Sequence, residues 1–160
     1  FVATNSIAKS FIQESKERQL YYYTIANPQS IIISKIMFNS LLMVFLVMAG
    51  FLIYILLLGN PVDDIGLFVF TLIIGAVGFS ASFTMISSIA SKASNSGTLM
   101  AILGFPIIIP MLLLLIKISR TAIEGLNRTT IYDEITTLLA IIIISITTSI
   151  ILFPYLWRSN

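Results

Sequence analysis

Four uncharged runs divide this chain. Residues 36–62 and 65–91 each hold 27 residues without a Lys, Arg, Asp or Glu, residues 93–116 hold 24, and residues 135–157 hold 23. A helix needs about 20 apolar residues to cross the hydrocarbon core of a bilayer. Inside a bilayer every backbone amide must be paired within the chain, so such runs fold as helices. A helical bundle in water would need charged outer faces, which these runs lack. The charged residues, 10% of the total against 58% hydrophobic, are gathered between the runs. The chain therefore reads as an all-α integral membrane protein, a single domain over residues 1–160. Its four transmembrane helices fall near 36–58, 67–91, 98–116 and 135–157.

Ahead of the first span lies a charged segment, residues 9–23. At 100° per residue Ala8, Phe11, Ile12, Ser15, Gln19, Tyr22 and Tyr23 share one face, and Lys9, Gln13, Glu14, Lys16, Glu17 and Arg18 occupy the rest. A helix with one apolar face and a broad charged one lies along a surface. The same composition also fits a solvated linker helix. The chain opens on Phe1, which is read as the start of a fragment, with residues 1–7 as the tail of an upstream span and residues 8–30 as a cytoplasmic amphipathic segment. No signal-peptide layout is present. Cysteine is absent, so no disulfide framework is available. The net charge of +2 is too small and too dispersed for nucleic acid.

Orientation follows from counting Lys and Arg on alternating sides. One side holds Lys9, Lys16, Arg18, Lys35, Lys92 and Arg158; the other holds Lys117, Arg120 and Arg128, with five of the seven acids. The N-terminal segment and the C-terminus are thus expected in the cytoplasm. Tyr155 and Trp157 beside Arg158 fit an interfacial anchor there.

The spans differ in kind. The second carries Gly75, Ala76, Gly78, Ser80, Ala81 and Ser82, a small-residue patch that lets another helix approach closely. Gly75, Gly78 and Ser82 are the candidate packing positions, weighed against a permeation path. The third holds Gly104, Pro106 and Pro110, and is expected to be kinked or broken midway at the two prolines. Pro154 reads as a terminal bend.

No span carries an ionisable group at its centre; Asn39 is the most strongly polar side chain within the runs. Ion-coupled carriers usually need buried Asp, Glu, His or Arg. Histidine and cysteine are both absent, which argues against catalytic, metal-binding or haem-ligating roles and leaves no intrinsic cofactor expected. There is no G-x-x-x-x-G-K-[ST] loop either, so ATP would have to be hydrolysed by another chain. Asp63-Asp64 and Asp133-Glu134 read as solvated loop or span-terminating pairs. Asn127-Arg128-Thr129 matches a glycosylation sequon too short to carry weight. Residues 117–134 are read as a charged connection with a short amphipathic stretch in which Ile118, Ala122, Ile123, Leu126 and Ile131 alternate with charges.

The order of these features resembles a known family. The string SFIQESKERQLYYYTIANP over residues 10–28, followed by SIIISK over 30–35, is similar to the segment between the second and third spans of ABC-2-type permeases. More narrowly, the run LGFPIIIP over 103–110 and the ending ILFPYLWR over 151–158 resemble the CcmB family of haem-exporter permeases. The resemblance implies an ABC-2-type helical bundle with six spans, of which the first and most of the second would precede this sequence. It implies that residues 9–23 are a cytoplasmic coupling helix, with Phe11, Gln13, Glu14, Glu17 and Arg18 as the residues meeting an ATPase. It further implies two permease copies paired with a CcmA-type ATPase in the bacterial inner membrane, and association with CcmC, CcmD and CcmE-type haem-handling proteins. Haem would be cargo, and ATP-driven release of a haem-loaded chaperone is the favoured activity. The alternatives are a permease exporting lipid, polysaccharide or drug, and a non-transporting scaffold.

Overall fold

A computed structural model of the chain describes residues 28–90 and 96–158. The segment with Phe11, Gln13, Glu14, Glu17 and Arg18, and also Lys92, lie outside the described residues. Within them the chain is helical: α1 (Pro28–Leu58), α2 (Ile65–Ala90), α3 (Ser96–Ile123), a 3-10 turn (Arg128–Ile131) and α4 (Tyr132–Arg158), with no strand among the described residues. All four α-helices are long and apolar enough to cross a membrane.

Three boundaries differ from the expected ones, each for a physical reason. α1 begins at Pro28 rather than near 36, because proline suits the first turn of a helix, where an N–H has no partner to lose. Lys35 does not interrupt it. α3 continues past 116 to Ile123, so the expected 117–134 connection begins as helix. Lys117 and Arg120 are tolerated there because their charges are met by Glu134 and Glu124. α4 starts at Tyr132 with Asp133 and Glu134 in its first turn, where negative charge is favoured by the helix dipole.

Nor is α3 broken at its prolines. It runs as one helix through Pro106 and Pro110. The missing N–H groups would have paired with the carbonyls of Ile102 and Pro106, four residues apart and so on one face. That face points out of the bundle, with Ile102 62% exposed.

The distribution of side chains is the inverse of a soluble protein. Phe45 (73%), Leu56 (83%), Phe105 (63%) and Ile144 (63%) face outward, while Gly75, Gly78, Ser80, Ser82, Thr84, Ser87 and Ser88 are buried in α2. Lipid tails are as apolar as Leu, so bulk points to lipid and small or hydrogen-bonding residues point to neighbouring helices. α2 is the central element: 44% of its most apolar window is buried, against 11% in α1 and α3 and 22% in α4, and it packs against all three. α4 completes the bundle by touching α1 and α3 as well.

Candidate functional site

The residues that distinguish this bundle sit on two faces of α2 and at the end where the connections cluster. Gly75, Gly78 and Ser82 recur at three- and four-residue spacing, so they line one face of the helix. A Cβ on Gly75 would come within 2.9 Å of Leu115 Cδ2 in α3. A Cβ on Gly78 would come within 2.9 Å of both Ile142 Cγ1 in α4 and Met111 Cε in α3. Real Cβ contacts are wider, so the absence of side chains is what admits the neighbouring helices. Ser82 Oγ lies 3.2 Å from Ser145 Oγ in α4 and donates to Met111 Sδ at 3.9 Å. Around this seam Met111, Leu138 and Ile142 are buried in one cluster with Leu67 and Ile118.

The second face of α2 meets α1 through polar groups. Asn39 Nδ2 donates to Thr84 Oγ1 at 3.1 Å, and Ser40 Oγ donates to Ser80 Oγ at 3.1 Å. Ser80 Oγ in turn donates to the Ile36 carbonyl at 3.5 Å. Asn39 is 6% exposed and Thr84 is fully buried, so each satisfies a group that would otherwise sit unpaired in an apolar setting. Two further hydroxyls nearer the Ala90 end of α2 and the Arg158 end of α4, Ser87 Oγ and Ser149 Oγ, are buried with no hydrogen-bond partner.

At the opposite end charges organise the connections. Asp64 caps α2, its Oδ1 accepting from the Leu67 backbone N–H at 3.0 Å. The same carboxylate accepts two hydrogen bonds from Arg128, at 2.7 Å from Nε and 2.9 Å from Nη2. Its backbone N–H donates to the Ala122 carbonyl at 2.9 Å, satisfying one of the last carbonyls of α3. The Arg128 guanidinium, and after it the Leu67 amide, holds the Asp64 carboxyl below the usual carboxylate range. α3 closes with Gly125 at φ +61° and with the Leu126 N–H on the Thr121 carbonyl at 3.1 Å, a left-handed cap of the kind glycine permits. Lys117 pairs with Glu134, whose side chain is 12% exposed.

Gly75, Gly78 and Ser82 are thus brought together on one face of α2, and Pro106 and Pro110 lie away from it on the outward face of α3. The acid pairs read as solvated behave otherwise in part: Asp64 and Glu134 are structural ion-pair partners, whereas Asp63 and Asp133 are exposed. The signal for this was that the first connection carries only acids, whereas all three bases on that side, Lys117, Arg120 and Arg128, belong to the third. Of the stretch over 117–134, Ile118, Ala122 and Ile131 are buried in the core, while Ile123 and Leu126 are exposed. Asn39 was singled out for its polarity; its partner Thr84 was not, because nothing in a sequence sets the register between two apolar helices. Among the described residues no group of three His, Cys, Asp or Glu converges as a metal site.

Comparison with known proteins gives one family. A family model described as CcmB protein matches residues 5–156. No curated protein and no solved structure gives a significant match.

Proposed function

Given that the chain belongs to the CcmB protein family, a membrane component of the haem-exporter ABC system, we propose that it is a permease subunit of a cytochrome c maturation complex driven by a separate ATPase. It is a multi-pass protein of the inner membrane. The observation that carries the reading is the family match, which runs from residue 5 to 156 and so takes in the charged segment as well as the helices.

In this reading residues 9–23 lie on the cytoplasmic face, where the majority of Lys and Arg residues would also sit. Gln13, Glu14, Glu17 and Arg18 meet a CcmA-type ATPase, while Phe11, Ile12 and Tyr22 seat the segment against the membrane. Residue 28 then leads directly into α1, and α1 packs on α2. Movement of the segment would thus act on the bundle through α1, the two-state contact that coupling requires. Two permease copies and two ATPases would form the assembly, with CcmC, CcmD and CcmE as haem-handling partners. Haem is the substrate of the system as a whole. This sequence has no His or Cys, the usual protein ligands of haem iron apart from Met and Tyr, which supports a role in releasing haem-loaded chaperone over one in liganding haem.

Glu14→Lys with Glu17→Lys is the direct test. The double reversal should abolish co-purification of the ATPase while membrane insertion persists; undiminished co-purification overturns the assignment. Deletion of the protein should remove covalent haem from c-type cytochromes, and normal cytochrome c would sink the proposal.

A further inference from the structure

The polar face between α1 and α2 has one more rung than it uses. Ser80, Thr84 and Ser87 follow one another at spacings of four and three, so they form a single ridge on α2. α1 supplies two partners to that ridge, Ser40 to Ser80 and Asn39 to Thr84. The third rung, Ser87, is 1% exposed and its hydroxyl has no partner. A buried unpaired hydroxyl is unfavourable, and each such group asks for an explanation.

The geometry points to a second register of α1 on α2, one helical turn nearer the Ala90 end, and this is a conformational switch built into the bundle. In that register Asn39 pairs with Ser87 and Ser40 pairs with Thr84. Ser80 then takes the place that Ser87 has in the observed register, as the rung with no partner on α1. The observed register makes three hydrogen bonds between the helices, counting Ser80 to the Ile36 carbonyl; in the second register Thr84 takes over that carbonyl, so the number is kept and the two are close in free energy, which is the condition for a bistable element. The shift is about 5.4 Å, the rise of one turn. The connection from Gly59 to Asp64 can follow it: six residues reach about 20 Å when extended, and Gly59, at φ +79°, has no neighbouring atom within 4 Å of its would-be Cβ. Only the outward face of α1 is unconstrained, carrying Met37, Leu41 and Phe45 at 67–73% exposure. Because the movement runs toward the N-terminal end of α1, a pull from residues 9–23 drives it. The inference rests on the coupling reading above.

Paired cysteines test it without disturbing the ladder, since these 160 residues contain no native cysteine. Ile36 and Ala81 belong to one buried cluster, and Met85 stands one turn beyond Ala81. The full-length protein with its ATPase in native membranes is oxidised with and without ATP and vanadate. Ile36→Cys with Ala81→Cys should cross-link without nucleotide, and Ile36→Cys with Met85→Cys should gain yield when nucleotide is trapped. Ser87→Ala, which removes only the unused rung, should lower the 36–85 yield about fivefold. A 36–85 yield at background in every nucleotide state overturns the switch, as does a yield unchanged by Ser87→Ala or absence of the 36–81 link. Failure of the coupling reading has a different signature: the ATPase does not co-purify, while the 36–85 link still depends on Ser87 in membranes without nucleotide.

Discussion

Asp64 and Arg128, 64 positions apart, meet through two hydrogen bonds of 2.7 and 2.9 Å. The contact joins the first turn of α2 to the turn that precedes α4, and the Asp64 backbone also holds the last turn of α3. Of the four long helices among the described residues, three are thereby fixed at one end by one residue. An exposed ion pair alone contributes little; here the same carboxylate is also a helix cap.

Separating those two roles gives the first prediction. Asp64→Asn keeps a good capping residue and loses the ion pair, whereas Asp64→Ala loses both. Thermal unfolding in detergent should rank wild type above Asp64→Asn and Asp64→Asn above Asp64→Ala. Arg128→Lys should fall near Asp64→Asn, since an ammonium cannot reproduce the forked contact.

The second prediction concerns acid. Asp64 titrates below its usual range in the folded protein because Arg128 and the Leu67 amide favour the carboxylate. Its contribution is therefore complete above about pH 4, its unfolded value, and is lost as pH falls through the lower folded value. The difference in melting temperature between wild type and Asp64→Asn should be constant from neutral pH to about pH 5 and shrink below about pH 4.

A third test addresses the close approach around α2. Gly78→Ala inserts a methyl between Ile142 and Met111, which press on it from two helices, and should destabilise by about 1–3 kcal/mol. Gly75→Ala should cost less, because it meets only the branched end of Leu115. Combining Gly78→Ala with Ile142→Ala should be less damaging than the sum of the two, measured as a double-mutant cycle.

Asn39 and Thr84 supply the fourth. Their coupling energy in a double-mutant cycle should lie at about 0.6–1.7 kcal/mol, the range for hydrogen bonds between membrane helices. Asn39→Ala alone should cost at least as much, since Thr84 is left buried without its donor.

The two left-handed glycines give the fifth. Gly59→Ala and Gly125→Ala both force a side chain into positive φ, but a Cβ on Gly125 also meets Asp63 at 3.1–3.2 Å while Gly59 has open space. Gly125→Ala should be the more destabilising, and Asp63→Ala should relieve part of that excess. The penalty for the conformation alone is about 1–2 kcal/mol.

The four long apolar helices among the described residues were legible because each contains a run of more than 20 residues with no charge. Their ends were not. Treating Lys117 and Arg120 as loop residues overlooked that each has an acid within reach, one of them on another helix. The small-residue patch on α2 was visible as composition, yet which face meets Leu115 or Ile142 and which meets Asn39 depends on helix rotation and register. Ser87 shows the limit most clearly. In the sequence it is one serine among several, and only its burial without a partner sets it apart.

The crowding of glycine, alanine and serine into α2 has a consequence for assembly. Such side chains have almost no rotamers to lose, so docking three helices onto α2 immobilises little on its side of each interface. In a bilayer, where no hydrophobic drive separates helix from lipid, a low entropic penalty adds to close packing and hydrogen bonding in favouring such contacts. The small side chains of α2 thus let it pack against all three neighbours with little side-chain entropy lost on its own side of each interface.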